Sequence, residues 1–221
     1  MENKKEELKK LENQYNKYMK IVKFILLIVL FVVLIFSTRF IYLFSISNKM
    51  IHANYIDIID KNVKKTYTFS STDHPEENSN CIYYYKDGIN VMEASFFRTY
   101  TIDNKIYSFY PISEPKKYSI REYSSNDKWE DFSFFKKIII IAAQASSYFD
   151  KNISYEELNG EKCIVFKDEY NKVYYNAESF LEVRTEHISS NSITDIKYEF
   201  DVVTDEDITL PNLSEYLLEE D

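Results

Sequence analysis

Residues 21–44 (IVKFILLIVLFVVLIFSTRFIYLF) are apolar almost throughout, and 24–36 contain no polar side chain. At 1.5 Å rise per residue the run makes a helix of about 36 Å, against a hydrocarbon core of about 30 Å. It occurs once, behind a lysine-rich start. It therefore constrains where the chain resides and which way it faces, and leaves open what the chain does.

Lys4, Lys5, Lys9, Lys10, Lys17, Lys20 and Lys23 precede the run or open it, whereas Lys49 is the only basic residue soon after it. The positive-inside rule then divides the chain into a cytoplasmic basic leader (1–20), a single membrane span (21–44) and an outer domain (45–221). In a bacterial cell this is a single-pass protein of the cytoplasmic membrane with its N-terminus inside. Arg39, near the outer end, is expected to snorkel to the interface. A cleaved signal peptide is the alternative, since Ser45 and Ser47 offer a small-x-small pattern before Asn48. The run exceeds the usual 7–15 apolar residues of such peptides, so a retained signal anchor is the expectation. No cysteine follows the run closely, which removes lipid modification of an N-terminal cysteine. Ahead of the span, Leu8, Leu11, Tyr15, Tyr18 and Val22 recur at intervals of three and four. This stripe reads either as a cytoplasmic extension of the membrane helix or as a short self-association seam.

Residues 1–23 hold seven lysines against four glutamates, Arg39 adds one positive charge, and the whole chain is −9, so residues 45–221 carry −13. A domain this acidic repels phosphates, which argues against a nucleic-acid partner. Its length supports one sizeable core. Twenty tyrosines and 16 phenylalanines against two glycines favour strands.

The outer domain begins with helical spacing over 48–63. Strand-like alternation follows over 64–71, and a polar loop fills 72–80. Paired strands are expected at 81–86 and 89–94 around Asp87-Gly88, and at 96–102 and 105–111 around Asp103-Asn104. A further strand is expected at 117–123. Residues 131–148 change to helical period, with Asp131 as N-cap. Beyond Gly160, strands are expected over 162–166, 172–188 (two, with a turn at 177–179) and 193–203. An acidic turn at 204–207 and a tail from 212 close the chain. The expected class is α+β: one mainly antiparallel sheet with two helices.

With only Gly88 and Gly160, the chain has no glycine-rich dinucleotide loop, P-loop or Gly-x-Ser-x-Gly elbow. His52, His74 and His187 stand in no metal-binding spacing. The carboxylates Asp201, Asp205, Glu206 and Asp207 lack the glycine turn of a calcium loop, and Glu156-Glu157 is not marked as an acid/base pair. The expectation is therefore no catalysis, no metal and no cofactor. Cys81 and Cys163, both in strand-like segments outside the membrane, are either a disulfide or two buried thiols.

The last 60 residues carry a resemblance. Asn159-Gly160-Glu161-Lys162-Cys163-Ile164-Val165-Phe166, then Val173-Tyr174-Tyr175-Asn176, then Tyr198-Glu199-Phe200-Asp201-Val202-Val203-Thr204-Asp205-Glu206-Asp207-Ile208, then Leu210-Pro211-Asn212-Leu213-Ser214-Glu215-Tyr216 resembles uncharacterised bacterial envelope proteins of the lipoprotein-carrier (LolA-like) superfamily. The resemblance implies a strongly curved antiparallel half-barrel with two helices on its concave face, often leaving an apolar cavity. Where relatives carry a Gly-Leu-Pro turn, this chain has Asn176-Ala177-Glu178-Ser179-Phe180-Leu181-Glu182.

Two functions compete. One is a membrane-tethered binding domain for a lipid, an acylated peptide or another apolar ligand. The other is an envelope-sensing or structural protein that works through protein partners and reports through the 1–20 helix.

Overall fold

The computed structural model describes residues 2–56, 58, 61–122 and 132–219. One helix, α1 (Glu2–Ile51), runs 50 residues from the leader into the body of the protein. No glycine or proline occurs in residues 1–51, so nothing breaks the helix at the end of the apolar run. The span and the start of the expected 48–63 helix are thus a single element. That second helix does not extend to Val63: α1 stops at Ile51, His52–Ile56 form a π-helical turn, and the first strand begins at Val63. Among the described residues α1 is the one helix long and apolar enough to cross a membrane, and its apolar window is not buried in protein. Leu11, Tyr15 and Tyr18 of the leader stripe are exposed, Val22 is half-buried, and the Leu8 side chain lies outside the described residues.

Twelve strands form one large, curved, unclosed sheet. In chain order they are β1 (Val63–Ser71), β2 (Ser79–Lys86), β3 (Ile89–Ala94), β4 (Phe97–Ile102), β5 (Lys105–Tyr110), β6 (Lys117–Glu122), β7 (Asn152–Leu158), β8 (Glu161–Lys167), β9 (Asn171–Asn176), β10 (Glu182–His187), β11 (Ser192–Phe200) and β12 (Leu217–Leu218). Their spatial order is β12-β6-β5-β4-β3-β2-β1-β11-β10-β9-β8-β7, antiparallel throughout except β12 on β6. The tight hairpins turn at Asp87-Gly88, Asp103-Asn104 and Asn159-Gly160, each with positive φ at both residues, as the twist-compatible two-residue turn requires.

Two other helices interrupt the strands. α2 (Phe134–Ser147) is capped by Ser133, whose hydroxyl accepts from the Lys136 N–H at 3.3 Å; the expected cap, Asp131, lies outside the described residues. The acidic stretch expected as a turn folds into the single helical turn α3 (Asp205–Ile208). The Asp207 carboxylate accepts from both the N–H and the hydroxyl of Thr204, each at 2.8 Å. Strand β7 has no counterpart in the expected pattern.

The register sorts the strands into two faces, because alternate residues point oppositely. On the inner face, Ile153, Ile164, Phe166, Val173 and Tyr175 of β7–β9 pack against Leu43, Ile46 and Met50 of α1 and Ala145 and Tyr148 of α2. The second core lies on the outer face. There Tyr84, Val91, Tyr100 and Phe109 of β2–β5 are covered by Val203, Ile208, Leu210 and Tyr216 of the C-terminal segment. Each core thus occupies a different half and a different face of the same sheet.

Candidate functional site

The second core leaves the inner face of β2–β5 free of its side chains, and on the neighbouring β1 and β11 that face is met by the π-helical turn, whose Asn54 accepts from the Tyr198 hydroxyl at 3.4 Å. Strand alternation brings Lys65, Tyr67 and Phe69 of β1, Tyr83 and Tyr85 of β2, Met92 of β3, and Ile196 and Tyr198 of β11 onto this stretch. The rings are organised: Tyr67 meets Tyr83 edge-on at 5.5 Å, and Tyr83 stacks on Tyr85 at 6.2 Å. Thr99 and Thr101 of β4 and Ile106 and Ser108 of β5 continue the surface toward the sheet edge.

Two charges sit among these rings. Lys65 is 8% exposed, and its ammonium lies 4.7 Å from the Tyr67 ring centre and 5.2 Å from that of Tyr198. Burial lowers its pKa, opposed by the charge of the Glu182 carboxylate. Glu182, at the start of β10, accepts from the Thr185 hydroxyl at 2.7 Å. Its charge also acts on Tyr55, whose hydroxyl burial raises, and on Tyr67, Tyr175 and Tyr198, whose hydroxyls burial already pushes well above the usual tyrosine range. Tyr85 is pushed up to about 12, again chiefly by burial. These phenols stay neutral at physiological pH and offer donors in a poorly hydrated setting.

At the end of the groove away from the span, the π-helical turn closes over β2–β4. A pocket of about 290 Å³ forms there, lined by Asn54, Tyr55, Ile58, Tyr85, Gly88, Ile89, Asn90 and Thr101. Asn54 fixes the turn. Its amide donates to the Met50 and Phe180 carbonyls at 2.9 and 2.8 Å, and its oxygen accepts from the Glu182 N–H at 2.9 Å. Asn90 stands in the pocket wall, and its Oδ1 is buried without a hydrogen-bond partner among the described residues.

The residues singled out in the sequence do not converge here. Cys81 is on the inner face of β2 and Cys163 on the outer face of β8, both as free thiols. Four strands separate them, a span of about 24 Å at the usual strand spacing, whereas a disulfide needs Cα atoms within about 7 Å. His74 faces Glu76 at 3.3 Å, and His187 faces Asn171 at 2.8 Å. Glu156 and Glu157 point to opposite faces of β7. Glu156 pairs with Lys172 at 2.7 Å, a hydrogen bond that lowers its pKa. Asp205 pairs with Lys86, and Asp207 caps α3. Arg39 is exposed, and its guanidinium donates to the Phe149 carbonyl at 3.1 and 2.8 Å and to that of Lys151 at 2.9 Å, just beyond α2. The groove itself escaped sequence analysis because Lys65, Tyr67 and Tyr198 come from strands distant in sequence. Only their alternation within each strand was visible.

No protein-family model and no curated protein matches the chain. Among solved structures, the crystal structure of a LolA superfamily protein from Nitrosomonas europaea is similar at 12% identity and a TM-score of 0.30, covering 75% of this chain and 96% of its own. A likeness at that score carries no functional argument, and the reading below rests on the groove.

Proposed function

We propose that this chain is a membrane-tethered, extracytoplasmic binding domain for a lipid, an acylated peptide or another apolar ligand, without catalysis. The observation that carries the reading is the inner face of β1–β5 and β11: a half-buried aromatic surface beside a pocket, met by the π-helical turn and carrying no second core among the described residues. A filled half-barrel would place its second core there; in this chain that core lies on the opposite face. The Tyr hydroxyls, Lys65 and Asn90 supply the few polar contacts that orient an otherwise apolar ligand.

Retention of the anchor fits the packing. Cleavage after Ser47 would strip Leu43 and Ile46 from the first core, and Ser47 itself is fully buried. The excess of lysines ahead of the span supports a cytoplasmic N-terminus and an outer domain.

The test uses the full chain in phosphatidylcholine nanodiscs with a photoactivatable fatty acid, followed by mapping of the adducts. Adducts on peptides of β1–β3 and β11, lost in Tyr83→Glu, support the reading. Adducts confined to residues 21–44 overturn it.

A second reading, envelope sensing through protein partners, has one observation in its favour. α1 is continuous from the leader to the π-helical turn whose Asn54 and Tyr55 line the pocket. Crosslinking between single cysteines placed at Leu11 or Tyr18 in native membranes supports it. A monomer there, with function unchanged after deletion of residues 2–19, removes it.

A further inference from the structure

The apolar part of α1 is too short to cross a bilayer before it meets the domain. Lys23 is the last lysine before the span, and Phe36 already stacks on Phe149 at 5.6 Å. Residues 24–36 rise only about 20 Å, while the hydrocarbon core measures about 30 Å. Twenty residues counted from Phe24 end at Leu43, which is buried in the first core. The hydrocarbon and headgroup layers must therefore reach the stretch of α1 on which the domain is docked.

The strand ends at that level differ from those at the other end. All strand connections fall on two rims of the sheet. On the rim next to Phe149, hydrogen bonds and an ion pair tie neighbouring connections together from Phe149 to Thr72. Arg39 holds the Phe149 and Lys151 carbonyls, and Lys151 pairs with Asp168 at 2.8 Å. The Ile188 N–H donates to the Tyr170 carbonyl at 2.7 Å, and the Thr72 N–H to that of Asn191 at 3.2 Å. The connections on this rim present Phe96, Ile112, Tyr170 and Ile188, all exposed, beside the equally exposed Tyr155, whose hydroxyl meets that of Tyr42 on α1 at 2.7 Å. The opposite rim turns at Asp87-Gly88, Asp103-Asn104, Asn159-Gly160 and Ala177-Glu178-Ser179. The opposite end also exposes Phe200 and Val202 after β11 and Phe134 and Phe135 at the start of α2; what sets the near rim apart is that its exposed apolar side chains stand level with the anchor beside an aromatic and cationic girdle, the arrangement a lipid interface selects.

We propose that this rim lies in the headgroup layer of the membrane that α1 crosses, so that the inner groove opens toward the lipid surface. The inference rests on the anchored reading and adds a second membrane contact made by the domain itself. Asp73, Glu76, Glu77, Glu114, Asp150, Asp168 and Glu169 stand on the same rim beside Lys116, Lys117, Lys151 and Lys167. This mixture suits a zwitterionic surface rather than a strongly anionic one.

The experiment reconstitutes the full chain in phosphatidylcholine vesicles containing a phosphatidylcholine with a diazirine near its headgroup, then maps carbene adducts by mass spectrometry. The expected result is labelling of α1 together with the peptides holding Phe96, Ile112, Tyr170 and Ile188, at least five-fold above the turns at 87–88, 103–104, 159–160 and 177–179. Labelling of α1 with both rims equally unlabelled overturns the rim contact and leaves the anchor intact. Absence of labelling from 21–44 overturns the anchored reading and the rim contact with it.

Discussion

The two halves of the sheet solve the same problem in opposite ways. At β7–β9 the apolar side chains of the inner face are buried under two helices, while the outer face keeps a small cluster around Cys163, Val165 and Tyr174 edged by ion pairs such as Lys172–Glu156. At β2–β6 the outer face is buried, and the cover is an irregular C-terminal segment held by Arg98, which donates to the Asp207 carbonyl and lies over the Tyr84 and Tyr100 rings. The difference shows how one sheet supports a stable core and a half-buried surface together. A half whose core faces out has no need to fill its inner face, and that face can be given to a ligand.

Truncations in the two cores test this contrast most strongly. Phe166→Ala removes a fully buried ring packed on Tyr148 and Tyr175, and Phe109→Ala removes one packed on Tyr100 and Tyr216. Each is expected to destabilise by about 4 kcal/mol in denaturant titration. Hydrogen exchange should place the first loss of protection in β7–β9 for Phe166→Ala and in β2–β5 for Phe109→Ala. Identical protection patterns would show that the halves are one cooperative unit.

Ile208→Ala thins the C-terminal cover and is expected to destabilise by about 3 kcal/mol. Photolabelling of the groove should persist in this variant, because the cover is on the other face. Asn54→Ala unpairs the Phe180 carbonyl and the Glu182 N–H at once, an expected loss of about 2 kcal/mol. Because Asn54 joins the first core to the pocket wall, its labelling should fall as well. If Asn54→Ala left labelling intact, the pocket would be independent of the helical half.

Alkaline pH probes the groove half selectively. Tyr67, Tyr85 and Tyr198 have raised pKa values in the folded protein, so below about pH 10 they are protonated in both states and contribute no pH dependence. Above it the unfolded chain releases these protons first, and stability should fall as the pH rises from about 10 toward 12. Tyrosinate absorbance followed alongside unfolding should appear late, with the structural transition. Asp168, held down to about 2 by Lys151 and two backbone N–H groups, acts at the other extreme. The stability it adds is lost as the pH falls from about 4 through 2, and that loss should be absent in Asp168→Asn.

The smallest stability effect is expected for Tyr83→Ala, a half-buried lining residue. It should change stability by no more than about 1 kcal/mol and lower ligand labelling at least five-fold. A loss comparable to that of Phe166→Ala would mean that the groove is core after all.

Local signals in the sequence anticipated local structure well. Asp87-Gly88 and Asp103-Asn104 are turns because their positive φ values suit Gly, Asn and Asp, and period-two alternation located most strands. Strand β7 was missed because NISYEEL exposes Tyr155 and alternates Ile153 with charged neighbours, so it lacks a clear apolar face. The limits of α1 were not legible because the switch from exposed to protein-buried side chains at Phe40–Leu43 leaves no mark in an apolar run. The site was the least legible part. A surface becomes a groove only when something else fails to cover it, and the cover of the second half was decided by where residues 203–216 pack. The turn at 176–182 bends without a glycine. The Asn176 side chain accepts from the Glu178 and Ser179 N–H groups at 2.9 Å each, and Phe180 takes φ +59° where a glycine is the usual choice.

Serving as the proposed anchor, α1, unbroken from leader to core, would be a post rather than a leash. A domain on a flexible tether sweeps a volume and can reach partners at many heights. This one would keep a fixed elevation and a fixed tilt relative to its own helix, free to spin about that axis and to drift sideways. Its encounters would then be confined to a plane, and anything that meets it regularly would have to travel in, or present itself at, that same sheet of space.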